Sequence, residues 1–127
     1  MKAQASLELL IIMAAALASL AIILPQVSQV MQKTSDETNW LLLSNQLHEL
    51  AGKAETAKIM GNGFKTELNF IIPDNSTIKQ NGNLLQASLG DKTEEIEIGE
   101  FQLNGFKTGE TTATIENENG AVIITLN

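Results

Sequence analysis

The chain has 127 residues and a formal net charge of −7, a length that suits one domain with an appendage. Residues 61–127 hold ten acidic residues against four lysines, the wrong sign for a phosphate backbone, whose binding rests on cation contacts, so nucleic acid is excluded as a partner. With no cysteine, one histidine (His48), no arginine and no tyrosine, the chain has no disulfide framework, no thiolate metal site and a thin set of groups for acid–base chemistry or a small-molecule substrate.

From Ala5 to Leu24 the sequence is apolar apart from Ser6, Glu8 and Ser19, and residues 9–24 carry no charge. About 20 such residues of helix span a bilayer core. A carboxylate inside such a run costs roughly 2.5–3.5 kcal/mol near its centre, so Glu8 calls for a cationic partner. Pro25 removes a backbone donor and clashes with the preceding turn, which predicts a bend or loosening near residues 21–26, or else two helices with a break there.

Beyond Pro25 the helical pattern resumes. Trp40, Leu43, Leu47, Leu50, Ala54 and Ala57 recur at steps of three and four and form one stripe, with Asp36, Glu37, Glu49, Lys53 and Glu55 largely elsewhere. Gly61-Asn62-Gly63 is a stop signal. A helix from about Ala5 to Met60 would be roughly 80 Å long at 1.5 Å per residue.

After Gly63 the period changes to two. Leu68, Phe70 and Ile72 alternate with Glu67 and Asn69, Ile96 and Ile98 with Glu95 and Glu97, and Val122, Ile124 and Leu126 with Ile123 and Thr125. Turn signals fall between these runs, including the hairpin-forming Asn-Gly pairs at 81–82, 104–105 and 119–120. Strands are predicted near 65–72, 76–80, 84–89, 93–98, 100–103, 111–116 and 121–126. The fold class is therefore α+β: a long N-terminal α-helix, apolar in its first half and bent near Pro25, carrying a small antiparallel β head of six or seven strands. One sheet face is expected on the Trp40–Leu50 stripe, because neither element buries its apolar face alone.

Three weaker signals lie in this part. Asn75-Ser76-Thr77 is an N-glycosylation acceptor in a turn. His48-Glu49 has the residue types of a metal pair, but a lone histidine beside a carboxylate is more often a solvated or interface residue. Asp91, Glu94, Glu95, Glu97 and Glu100 offer hard oxygen ligands for calcium but lack the spacing of a calcium loop, and strand alternation already puts Glu95 and Glu97 on a wet face. No metal site and no cofactor is expected.

The N-terminal run, Gln4-Ala5-Ser6-Leu7-Glu8 followed by Leu9-Leu10-Ile11-Ile12, resembles the class III signal peptide of archaeal type IV pilin-like proteins, in which a Q-x-S-x-E-x-x-x-L pattern follows the cleavage point. Gln4, Ser6 and Glu8 match, and Ile12 stands where the family has leucine. The resemblance implies processing by a prepilin peptidase between Ala3 and Gln4, a leader of residues 1–3, an apolar transmembrane and polymerisation helix over 4–25, an amphipathic continuation over 26–60 and a β head over 61–127. Pro25 is similar to the proline found at a like distance along pilin helices. The implied role is that of a subunit in an adhesive surface filament, membrane-inserted before assembly and without catalytic activity. In such a filament Glu8 would meet the new α-ammonium of a neighbouring subunit. Two other readings compete: a single-pass anchor displaying an outer β binding domain, which leaves Glu8 unexplained, and a secreted β protein released at Ala16-Leu17-Ala18.

Overall fold

The computed structural model describes all residues, Met1–Asn127. The chain divides into two compact units, Met1–Glu37 and Thr38–Asn127. A single helix, α1, runs over Lys2–Met60 and contributes to both. It starts three residues before the expected Ala5 and ends at the expected Met60. Pro25 lies inside it without interrupting it, so the alternative of two helices is not what the chain adopts. A proline removes one intrahelical donor, and the bonds of the flanking turns suffice to carry the helix through.

In the first unit every residue is exposed, including the whole apolar run. In the second unit one face of the helix is covered: Leu43, Leu47, Leu50, Ala51, Ala54 and Ala57 are buried, and Trp40 packs partly against them. This is the predicted stripe, with Ala51 added. The covered side is small at Ala51, Ala54 and Ala57, which lets the strands approach the helix closely where it ends.

Seven strands follow, within two residues of the predicted bounds: β1 (Lys65–Ile72), β2 (Ser76–Asn81), β3 (Leu84–Leu89), β4 (Lys92–Glu97), β5 (Phe101–Asn104), β6 (Gly109–Glu118) and β7 (Ala121–Leu126). They form two sheets rather than one, a four-stranded sheet in the order β1-β6-β7-β5 and a three-stranded sheet β2-β3-β4. All pairings are antiparallel except β5 with β7, which is parallel with Phe101 opposite Val122. The reason is topological: β6 and β7 form the tight Asn119-Gly120 hairpin, which leaves β5 only the outer side of β7. Asn119 and Gly120 both take positive φ, the conformation this turn requires.

Phe70, Ile72, Ala113, Ile115, Val122, Ile124 and Leu126 of the larger sheet join Ile78, Leu85 and Ala87 of the smaller one and the helix stripe in one buried cluster. Strand alternation sends Lys65, Glu67 and Asn69 the other way, to solvent. The side chain of Gln80 links the sheets. Its amide nitrogen donates to the Phe101 carbonyl at 2.6 Å and its oxygen accepts from Leu103 N–H at 3.1 Å. A side-chain amide thus does on one edge of β5 what a neighbouring strand would do, and that edge is not left unpaired.

Candidate functional site

Ala3, Gln4, Ser6, Glu8 and Ile12 all lie in α1, in the first unit, and all are exposed. Alanine and leucine dominate the segment, both strong helix formers, so the helix needs no covering partner to be locally favoured. Its side chains do need one. Leu7, Leu9, Leu10, Ile11, Ile12, Met13, Leu17, Leu20, Ile22, Ile23 and Leu24 are each at least half exposed. Left in water, each such side chain forgoes about 1.5–3 kcal/mol of burial. Ser19, the polar residue in mid-run, turns its hydroxyl back to the Ala15 carbonyl at 2.8 Å, which satisfies its donor inside the helix as an apolar setting requires. Glu8 has no such internal solution; an ion pair that does form joins His48 to Glu94, far along the sequence.

The His48–Glu94 pair belongs to a cluster that sequence spacing alone did not disclose. Ser44 and His48 stand one helical turn apart and both reach Glu94 of β4. Ser44 Oγ donates to Oε2 at 2.5 Å, and His48 Nε2 lies 2.8 Å from Oε1. A serine, a histidine and a carboxylate suggest nucleophilic catalysis, but the connectivity is wrong for it. In a working triad the histidine takes the serine proton and the carboxylate orients the histidine. Here both side chains bond the same carboxylate and the serine is not bonded to the histidine as a triad requires; the cluster fastens β4 to the helix.

The remaining head residues are dispersed. Glu95 turns to the opposite face of β4 and accepts from Gln86 Nε2 at 2.9 Å. Asp91, Glu94, Glu95, Glu97 and Glu100 do not converge, and the chain contains no group of three or more acidic or histidine side chains that could hold a metal ion. Asn75 is exposed in the turn between β1 and β2 with φ of 62°. Within the same tripeptide Ser76 is buried on the Pro73 carbonyl and Thr77 Oγ1 lies 2.6 Å from Ser88 Oγ. A shallow groove between β1 and β6 is lined by Asn69, Phe70, Ile71, Glu110, Thr111 and Thr112. Glu110 is its single titratable side chain, so it holds no acid–base pair.

Sequence spacing also missed Asn117. Its side chain is buried at the end of β6, donating to the Ala57 carbonyl at 3.0 Å and accepting from Gly120 N–H at 3.0 Å. A signal was present: Asn117 is in phase with Ala113 and Ile115, which period-two alternation places on the covered face. Comparison of the chain with protein-family models, with curated proteins and with solved structures found no match.

Proposed function

We propose that the chain is a structural subunit of a type IV pilus-like surface filament, trimmed between Ala3 and Gln4 by a prepilin peptidase and assembled through the apolar part of α1. One observation carries the reading. The twenty residues from Ala5 to Leu24 form an entirely exposed apolar helix that contains one unpaired carboxylate, Glu8, four residues after a candidate cleavage point. Lipid explains the length but not the charge. Cleavage before Gln4 creates an α-ammonium, and between staggered copies the ammonium of one subunit lies within reach of Glu8 of the next. In the water-free centre of a helix bundle that pairing offsets the desolvation of both charges and fixes axial register, since loss of one partner costs far more than the pair contributes. The helix exchanges bilayer for bundle without exposing a backbone group in either setting. Ala14, Ala15, Ala16, Ala18 and Ala21 allow close approach of neighbouring helices.

The role is mechanical rather than catalytic. The precursor resides in the membrane, the mature subunit in a cell-surface filament with its β head outward, and adhesion is the function such a filament would serve. Mass determination of the N-terminal peptide from membranes and from a sheared cell-surface fraction tests this. A sheared-fraction chain beginning at Gln4 supports the proposal. A chain beginning at Met1 or Lys2 and found only in membranes overturns it in favour of a single-pass anchor displaying a β binding domain.

A further inference from the structure

Four asparagines of the head precede a glycine, Asn62, Asn81, Asn104 and Asn119, and all four are exposed. In such a pair the backbone nitrogen of the glycine stands next to the side-chain amide, with no Cβ on the glycine to screen it. Once its N–H has lost the proton, that nitrogen can attack the asparagine Cγ. An N–Cγ bond forms, the Cγ–Nδ2 bond breaks, and ammonia leaves with the proton to give a five-membered succinimide. Water then opens the ring at either carbonyl, which yields aspartate or isoaspartate. The step needs a glycine nitrogen free to give up its proton and an asparagine side chain free to turn toward it.

The four pairs divide on that requirement. Gly63 N–H donates to the Asn117 carbonyl at 2.9 Å, and Gly120 N–H donates to Asn117 Oδ1 at 3.0 Å. Asn62 is held a second time, its Oδ1 accepting from Asn119 N–H at 2.9 Å. Asn62 and Asn119 thus belong to one network around the buried Asn117, and attack at either must first break a hydrogen bond. Asn81 and Asn104 are under no such restraint. Gly82 opens the tight turn between β2 and β3, and Gly105 opens the loop after β5. Neither glycine N–H has an acceptor in the chain, and neither asparagine side chain has a hydrogen-bond partner.

We propose that Asn81 and Asn104 are modification sites, converted spontaneously in the folded head to aspartyl and isoaspartyl residues, while the Asn117 network keeps Asn62 and Asn119 as amides. Each conversion adds one negative charge to a chain that already carries −7, so the protein becomes more acidic as it ages.

The test ages the purified full chain in detergent at mildly alkaline pH, folded and, in parallel, unfolded in urea. Both samples are cut with an acid protease, because acid suppresses further conversion, and the four asparagine peptides are quantified by mass. In the folded chain Asn81 and Asn104 are expected to convert about tenfold faster than Asn62 and Asn119, the factor imposed by one hydrogen bond that must break beforehand. In urea the four rates should converge. A folded-state rate at either Asn81 or Asn104 no higher than those at Asn62 and Asn119 overturns the proposal. The same ranking in urea also overturns it, because neighbouring sequence rather than the folded network would then set the rates.

Discussion

Asn117 holds the carbonyl of Ala57: its buried side-chain amide donates to that oxygen at 3.0 Å across sixty residues of sequence. The contact sits at the last turn of α1, where carbonyls lose their intrahelical donors. The backbone of Asn117 is bonded as well, its carbonyl accepting from Gly63 N–H and its N–H donating to Phe64 at 2.9 Å each. One residue therefore closes the helix, the entry to β1 and, through Gly120, the hairpin turn. Replacing it by alanine leaves the Gly120 N–H without its acceptor and the Ala57 carbonyl with only the Gly61 N–H at 3.2 Å. Asn117→Ala is expected to cost about 1–3 kcal/mol. Asn117→Asp, which keeps the acceptor but directs a second oxygen at the carbonyl, is expected to cost at least as much. Trp40, the single tryptophan and packed against the core, reports the shift of the denaturant midpoint by fluorescence.

The helix stripe separates buried from exposed leucines that are close neighbours in sequence. Leu47 is 1 % exposed and Leu41 is 59 % exposed. Leu47→Ala should destabilise the unit formed by Thr38–Asn127 by about 2–5 kcal/mol through lost burial and a residual cavity. Leu41→Ala, with no cavity to leave, should stay within about 0.5 kcal/mol. Equal effects in the same fluorescence titration would contradict the burial pattern.

Gly105 and Gly120 both take positive φ, at 75° and 87°, but their surroundings differ. A Cβ at Gly105, immediately after β5, would lie 2.4 Å from the Leu126 carbonyl oxygen, whereas at Gly120 it meets open space. Gly120→Ala should cost only the conformational penalty, about 1–2 kcal/mol. Gly105→Ala adds a backbone clash that no side-chain rotation relieves, so β7 must shift away from β5. The expected outcome is a larger loss of stability for Gly105→Ala, together with faster hydrogen exchange at Leu126.

The Ser44–His48–Glu94 cluster is expected to contribute little. His48 is well exposed and Glu94 is partly so, and exposed ion pairs are worth about 0–1 kcal/mol because water screens them and side-chain entropy opposes them. A double-mutant cycle on His48→Ala and Glu94→Ala should give a coupling energy under about 1 kcal/mol. Ser44→Ala should have the larger single effect of the two helix partners, since its hydroxyl is the less exposed donor. A coupling of several kcal/mol would mean that the pair is desolvated.

The strands were legible in the sequence because period-two alternation and Asn-Gly turns are local signals. Their assembly was not. Nothing within residues 101–104 says that they pair parallel to residues 121–126, because partner choice depends on which edges remain once the hairpins have closed. For the same reason Glu94 stands in the sequence only as one of five acidic side chains near a turn, although its phase with Ile96, rather than with Glu95 and Glu97, puts it on the helix side. Asn117 falls just outside the strand expected over 111–116; β6 instead runs two residues beyond Glu116 and carries Asn117 onto the buried face. Of the two outcomes that Pro25 allows, only the break into two helices is ruled out: one missing hydrogen bond in a 59-residue helix does not divide it.

Glu8 is where a filament and a lone anchor differ most. In an anchor the carboxylate is a pure cost, and Glu8→Leu should leave the membrane level of the protein equal or higher. In a filament the same change strands the Gln4 ammonium of each neighbour in an apolar centre, and removing one member of a buried pair costs about 3–5 kcal/mol at every interface. Repeated along the fibre, that loss should remove the protein from the sheared surface fraction while membrane-bound subunit persists. Trp40 fluorescence should be unchanged, because Glu8 lies outside the unit that contains Trp40. Glu8→Gln keeps the hydrogen-bonding shape but not the charge, and should give sparse or short filaments. The N-terminal mass of each variant must still begin at Gln4, which separates failed assembly from failed processing. Filaments of normal length and number from Glu8→Leu would remove the register pair from the mechanism.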